Sequence, residues 1–311
     1  MKKSLSIVMI SILMTLSLMG CSSNKTAHQT KTDYDSNKIN IVATVFPPYD
    51  FAKAVVDGKA DLTMLINPGD EIHTFKPTPA VISKIQKADV FIYVGNEDDE
   101  WVYEVLGSMD TSKKKIIKFS DYIVPLQQET DEHIWNFPNN AIQLIGVIAK
   151  NLCEVDPDNA QEYKQNATSY TSQIQKADND IKEIVSRSSD KFLVLGDYFP
   201  LRYFVSNFGI SYQKADCSKQ TEAKKSEKGA GPGTLISNLV TVIKSKNIRY
   251  VLYVELGNPN MAKEITQLTG AKMVQLYSCH NFTREDFTKD QGITYLTLMQ
   301  QNAETLQKIL S

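Results

Sequence analysis

Histidine is the scarce reactive residue of this chain, with four among 311 residues. Three of the four stand where one structural element gives way to another. His73 lies in "NPGDEIHTFKPTP", between a strand-like run and a proline-punctuated helix start. His133 lies in "ETDEHIWNFPNN", ahead of a helical stretch, and His280 lies in "LYSCHNFT", directly after another apolar run. Imidazole is the common nitrogen ligand of zinc and other first-row divalent ions, and carboxylates complete such sites. Asp197 after "FLVLG", Glu255 in "LYVEL" and Glu222 in "QTEA" are the acidic groups available. Metal ligation is therefore the chemistry these residue types offer. The plainer reading is that each loop histidine is a surface or helix-capping group, and spacing alone leaves the two evenly matched. His28, inside a polar segment, is incidental.

Other chemistries find no support. There is no Gly-x-Ser-x-Gly elbow, no His-Glu-x-x-His pair and no Gly-x-x-x-x-Gly-Lys-Ser/Thr loop. The formal charge of -2, from 34 basic and 36 acidic residues, leaves no electrostatic footprint for nucleic acid. The cysteines show no Cys-x-x-Cys spacing, which excludes a structural zinc knot. Cys217 and Cys279 both fall in the C-terminal part and are proposed as a disulfide pair, leaving Cys153 free. Cys279 as a soft metal ligand beside His280 is the other reading. The basic clusters "SKKKI" and "KKSEKG" read as solvated loops.

The elements that must position the histidines follow an α/β pattern. "INIVATVF", "ADLTMLI" and "DVFIYVG" are β-branched and aromatic runs bounded by turn residues, as buried parallel strands are. "TPAVISKIQKA" supplies Thr78 as an N-cap and Pro79 at the first helical position. "NAIQLIGVIAKNL" reads as a helix. After it, Tyr163, Ala167, Tyr170, Ile174, Ala177, Ile181 and Ile184 recur at steps of three or four behind Asp156 and Pro157. One helix of about 30 residues spans on the order of 45 Å. That exceeds a small lobe and predicts a strut joining two. The βα alternation then restarts with "KFLVLG", "NIRYVLYVEL" and "AKMVQLY", and a last helix runs from about Ile293 to Leu310. In open α/β sheets ligands bind beyond the carboxyl ends of the strands, a rule that suits all three histidines.

The N-terminus "MKKSLSIVMISILMTLSLMGC" has two lysines, an apolar run too short for a membrane span, and a cysteine, which reads as an export signal. Leu18-Met19-Gly20-Cys21 resembles the bacterial lipobox, which implies lipidation of Cys21 and a mature protein outside the cytoplasmic membrane. Residues 1–20 are then a signal peptide and 21–38 a polar, flexible tether. The N-terminal lobe covers 39–155, the linking helix 156–189 and the C-terminal lobe 190–311.

Four longer stretches carry a resemblance to a known family. "PGDEIHTFKPTPAVISKIQKADVFIYVGNEDDEWV" and "DEHIWNFPNNA" look like its two histidine signatures; "YFVSNFGI" and "GITYLTLMQQNAETL" look like two of its helices. The family is the zinc and manganese substrate-binding lipoproteins of bacterial ABC importers, the ZnuA/PsaA-like group, and the similarity runs from Ile39 to Ser311. The resemblance implies two lobes of parallel sheet with flanking helices, joined by one long rigid helix, with a divalent ion between the lobes and no catalysis. His73 and His133 carry over as ligands. At the third position this chain reads "GDYFPLRYF", where Asp197 is the nearest carboxylate, one residue out of register, and Tyr198 is in register. His280 is the candidate for the fourth position, often Asp. The expected protein is a lipid-anchored, monomeric receptor on the outer face of the cytoplasmic membrane that delivers Zn2+ to an ABC permease. Coordination by Asp197 and Glu255 without His280 would favour Mn2+ instead. The competing classes are a surface zinc-dependent hydrolase, which needs an open coordination position and a general base, and an adhesion lipoprotein without a metal.

Overall fold

The computed structural model describes residues 38–70, 72–126, 133–196, 199–214, 232–255, 259–288 and 292–311. The export signal with Cys21, the tether, Asp197, Tyr198, Cys217, Glu222 and "KKSEKG" lie outside the described residues.

Two four-stranded parallel sheets are formed. The first is ordered β2-β1-β3-β4, from β1 (Asn40–Ala43), β2 (Asp61–Met64), β3 (Val90–Tyr93) and β4 (Lys115–Lys118). The second is ordered β6-β5-β7-β8, from β5 (Phe192–Leu195), β6 (Ser211–Lys214), β7 (Tyr250–Tyr253) and β8 (Lys272–Gln275). Alternate side chains of a strand point to opposite faces, so each sheet feeds two cores. Val42, Phe91 and Tyr93 pack outward against α2 (Pro79–Lys87) and α3 (Glu100–Gly107). Val194 and Val251 pack outward against α7 (Pro232–Ser245) and α8 (Asn260–Thr269). The inner faces, Ile41, Ala43, Val90 and Ile92 of one sheet and Leu193, Leu195 and Leu252 of the other, belong to one continuous apolar cluster. That shared core is completed by α1 (Phe46–Val56), α4 (Pro138–Val155), α5 (Ala160–Arg187) and α10 (Tyr295–Ile309); the short helices α6 (Arg202–Phe208) and α9 (Arg284–Thr288) complete the chain.

Most expected elements form, with shorter strands. The run "INIVATVF" ends its strand at Ala43 because Pro47 and Pro48 occupy the first turn of α1, where a missing N–H is harmless. Thr78 caps α2 as expected, its hydroxyl accepting from Val81 N at 3.3 Å. Ser112 and Lys113 of "SKKKI" stand in an exposed turn as expected, but the segment's end is corrected: Lys115 and Ile116 open the edge strand β4, where Ile117 is buried and Lys115 reaches Glu154 at 2.6 Å. Lysines on an edge strand discourage further strand pairing. The long helix is preceded by a 3-10 turn at Pro157–Asn159. There Asp156 accepts hydrogen bonds from Asn159 Nδ2 at 2.8 Å and Tyr163 Oη at 2.6 Å. The 28-residue α5 is no bare strut. Its face of Tyr163, Ala167, Ile174, Ala177, Ile181 and Val185 is buried against α1, α4 and α10.

One buried carboxylate ties three of these helices. Asp50 of α1, 2% exposed, accepts from Tyr170 Oη of α5 at 2.7 Å and from the N–H of Tyr295, the first residue of α10, at 3.0 Å. Both partners favour the charged form, yet burial prevails and pushes the Asp50 pKa up to about 6. A carboxyl whose folded pKa is raised stabilises the fold fully below its unfolded pKa of about 4 and loses that contribution as pH rises through about 6. Between pH 4 and 7 the loss amounts to about 2–3 kcal/mol. Asp50→Asn, whose amide oxygen can accept both bonds, is expected to remove this component, and the difference between the denaturation free energies of variant and wild type across that range measures it.

A second constraint sits at the end of β5. A Cβ on Gly196 would lie 2.6 Å from Cα and 2.7 Å from Cβ of Ala262 on α8. Gly196→Ala is expected to lower stability by about 1–3 kcal/mol, the usual range for overpacking, read as a loss of several degrees in thermal melting.

Candidate metal centre

The histidines stand on loops beyond the strand ends of both sheets. His133, 1% exposed, precedes a 3-10 turn at Ile134–Asn136 that leads into α4. The turn is fastened on several sides. Trp135 Nε1 donates to Ser278 O at 2.9 Å, and Tyr295 Oη donates to Trp135 O at 2.7 Å. Asn136 Nδ2 donates to Pro200 O at 2.9 Å, and Asn140 Nδ2 to Ile134 O at 2.9 Å. With Pro138 starting α4, the backbone around His133 has little freedom.

His280 stands on the loop after β8. Cys279, just before it, has φ +58°, a left-handed conformation unfavourable for a residue with a Cβ. Glu255 holds this turn in place. Its carboxyl oxygens accept from Ser278 N at 2.8 Å, Ser278 Oγ at 2.6 Å and His280 N at 3.2 Å. Burial raises the Glu255 pKa to about 7 against these bonds.

His133 Nε2 and His280 Nδ1 are 3.0 Å apart, so the two imidazoles share a hydrogen bond although 147 residues separate them. Their ring centroids are 4.7 Å apart, and the Trp135 ring lies 5.3 Å from one and 5.2 Å from the other. His73, on the loop between β2 and α2, has its ring centroid 6.3 Å from that of His280. Its Nδ1 lies 3.0 and 3.1 Å from the two oxygens of Asp98. Burial, followed by the neighbouring His133 and His73, holds the His280 pKa well below the usual imidazole value, which keeps that ring neutral. Neutral imidazole is the form that ligates metals.

Of the residues expected from sequence, His73, His133 and His280 are thus brought together. Glu255 is also present, but its oxygens are engaged by the loop that carries His280. Asp197 lies outside the described residues. As the side chains stand, no group of three or more His, Cys, Asp or Glu among the described residues is already arranged to hold a metal ion. Cys217, the disulfide partner expected for Cys279, lies outside the described residues. Cys279 is a free thiol, 1% exposed in the shared core. Burial pushes its pKa up, which makes it a poor nucleophile and ligand. Cys153 is free as expected. Sequence reading missed Asp98, whose only signal is its place in the acidic run "NEDDEW", and the bracing role of Trp135 beside His133.

A family model described as ZnuA, zinc-uptake complex component A periplasmic, matches residues 41–309. The zinc-binding lipoprotein AdcA of Streptococcus pneumoniae is 28% identical over 323 residues, covering 98% of this chain; the chain spans 61% of that relative's length. The high-affinity zinc uptake system protein ZnuA of Bacillus subtilis is 24% identical over 97% of this chain and 96% of its own length. Among solved structures, the Zn(II)-bound ZnuA-like domain of S. pneumoniae AdcA superposes with a TM-score of 0.74 at 27% identity, covering 88% of this chain and 99% of that domain. The metal-dependent lipoprotein YcdH of B. subtilis shares the fold, with a TM-score of 0.76 at 24% identity over 88% of this chain and 99% of its own. A match that runs from the first strand to the last helix and takes in all three clustered imidazoles has one reading: the chain belongs to the ZnuA family of zinc-uptake complex component A proteins.

Proposed function

We propose that this protein is an extracytoplasmic receptor that captures a divalent metal ion, zinc before manganese, and passes it to an ABC permease in the cytoplasmic membrane. The observation that carries the reading is the gathering of three imidazoles from loops of both sheets, His133 and His280 within 3.0 Å and His73 beside them. Nitrogen-rich tetrahedral sites suit zinc, whereas manganese favours oxygen ligands. Glu255, the described carboxylate that would tilt the site toward oxygen, is occupied in bracing the His280 loop. Asp98 stands behind His73 as the carboxylate of a carboxylate–histidine–metal relay; on Nδ1 it makes Nε2 the nitrogen that ligates. Asp197 is the proposed oxygen ligand completing the shell.

The names of the relatives, zinc-binding lipoprotein and zinc uptake system protein, support the same cargo and a permease partner. Lipidation of Cys21 would tether the receptor to the outer face of the membrane, with the lobes at 39–155 and 190–311 working as a monomer about the helix of 156–189. Among the described residues no helix is long and apolar enough to cross a membrane. A hydrolase would require a general base at an open coordination position. Among the described residues, Asp98 and Glu255 are engaged by His73 and by the His280 loop, which favours a binding protein over an enzyme.

The test is metal analysis and competitive chelator titration of the protein lacking residues 1–21. Stoichiometric zinc is expected, and its absence, together with absence of manganese, would sink the proposal. His133→Ala and His280→Ala should each weaken zinc by more than the roughly 10–100-fold typical of outer-shell substitutions, and Glu255→Gln should fall within that range. Unchanged affinity in His280→Ala would remove His280 from the ligand set. Imidazole must be neutral to ligate, and burial holds His280 well below the usual imidazole value of about 6.5, so loss of zinc through protonation of His280 should set in only well below that pH, measured by the same titration in a buffer series.

A further inference from the structure

Immediately outside the imidazoles, the two loops that carry His73 and His280 are fastened to each other. Asn281, next to His280, uses both ends of its amide: Oδ1 accepts from Gly69 N at 3.1 Å, and Nδ2 donates to Asp70 O at 3.0 Å. Oδ1 also accepts from Phe282 N at 2.9 Å, which fixes the amide's orientation. One turn further on, Arg284 donates to Asp70 Oδ1 at 3.0 Å; the hydrogen bond from Asn67, and after it Arg284, hold the Asp70 pKa below the usual range. Gly69 adopts φ +81°, a conformation that suits glycine and turns its N–H toward Asn281. Behind the polar contacts the Phe282 ring meets Phe46 edge-on at 4.4 Å, both side chains buried.

We propose that Asn281 and Arg284 form a clasp on the Gly69–Asp70 turn that governs how long a bound metal ion is retained. This rests on the metal-receptor reading above. The clasp joins residues three or four positions before His73 to residues one to four positions after His280, so opening it separates two of the ligating loops while His133 stays on its fixed turn. Asn281 and Arg284 are positioning residues: they act on the ion through the loops and touch no ligand atom in their own right. The ion pair is exposed and contributes modestly, whereas the half-buried amide, which satisfies two backbone groups at once, carries most of the closure.

The experiment uses the zinc-loaded protein lacking residues 1–21 and follows zinc release into excess EDTA by stopped flow. Asn281→Ala should raise the release rate about 10-fold, as expected for loss of the two hydrogen bonds that cross between the loops. Arg284→Asp and Asp70→Arg should each raise it about 3-fold, and the double exchange should return it toward wild type. Zinc stoichiometry should stay unchanged in every variant, and metal-free melting should move little, because a merely structural residue would shift melting without selectively accelerating release. Release at the wild-type rate from zinc-loaded Asn281→Ala would overturn the clasp and leave the receptor reading intact. Failure of the wild type to bind zinc at all would overturn the receptor reading and the clasp with it.

Discussion

The two sheets bury their inner faces in a single apolar core, and the location of each imidazole depends on that constraint. Ile41, Ala43 and Ile92 on one side and Leu193, Leu195 and Leu252 on the other would each be half-covered without the helices between them. Burial at about 25 cal/mol per Å2 of apolar surface gives this shared core a large favourable energy. Each sheet is parallel, so its own strands all end along one edge, and loops beyond those edges carry His73, His133 and His280. The helix α5 makes the arrangement stiff, since one apolar stripe along its length packs on α1, α4 and α10 together. Asp50 adds a directional tie within that packing, because a carboxylate sunk among three helices must keep its partners Tyr170 and Tyr295 or stand unsatisfied.

Electrostatics at the centre divide the labour between nitrogen and oxygen. The imidazoles face one another, and the described carboxylates next to them are turned to orientation. Asp98 meets His73, and Glu255 holds the left-handed turn at Cys279 through Ser278 and His280. A backbone residue in that region costs about 1–2 kcal/mol, and a half-buried carboxyl group with three donors is what keeps it there. This explains why Glu255, though acidic and adjacent in sequence to a strand end, is better read as a brace than as a ligand. The same burial that raises its pKa lowers that of His280, so both groups are biased toward their neutral forms by one low-dielectric environment.

Legibility in the sequence followed the length and clarity of each signal. The buried strands of both sheets, the capped α2 and the long α5 were readable because apolar runs, Pro at the first helical turn and a three-four period act locally. The edge strands β4 and β6 were not, because Lys115, Lys118, Ser211 and Lys214 make them look like loops; edges are polar for reasons that only the assembled sheet reveals. The opening of α1 was hidden by an apolar run that continues past the strand into Phe46. His73, His133 and His280 were legible as residues at element junctions. Their mutual approach was not, since a 3.0 Å contact across 147 residues is a product of tertiary packing. Asp98, Trp135 and Asn281 were missed for the same reason: their roles are defined by partners far away in the chain.

A receptor must both hold its cargo and give it up, and the centre is graded in a way that suits both. His133 sits at the base, 1% exposed, on a turn fixed by Trp135, Asn136, Asn140 and Pro138. His280 is intermediate, on a loop whose geometry is imposed by Glu255 and not by its own backbone preference. His73 stands at the rim, its side chain 53% exposed and steadied by Asp98. Local opening is easiest where few apolar contacts are lost, so motion at this centre should begin with the His73 loop and spread to the His280 loop before reaching His133. Under the proposed reading, an ion would lose its rim ligand first while remaining anchored at the base, and transfer would proceed by successive exchange of ligands. A uniformly rigid cage would have to break several bonds at once. The asymmetry follows from which side chains the shared core buries, and the route for cargo exchange is therefore set by the same packing that builds the fold.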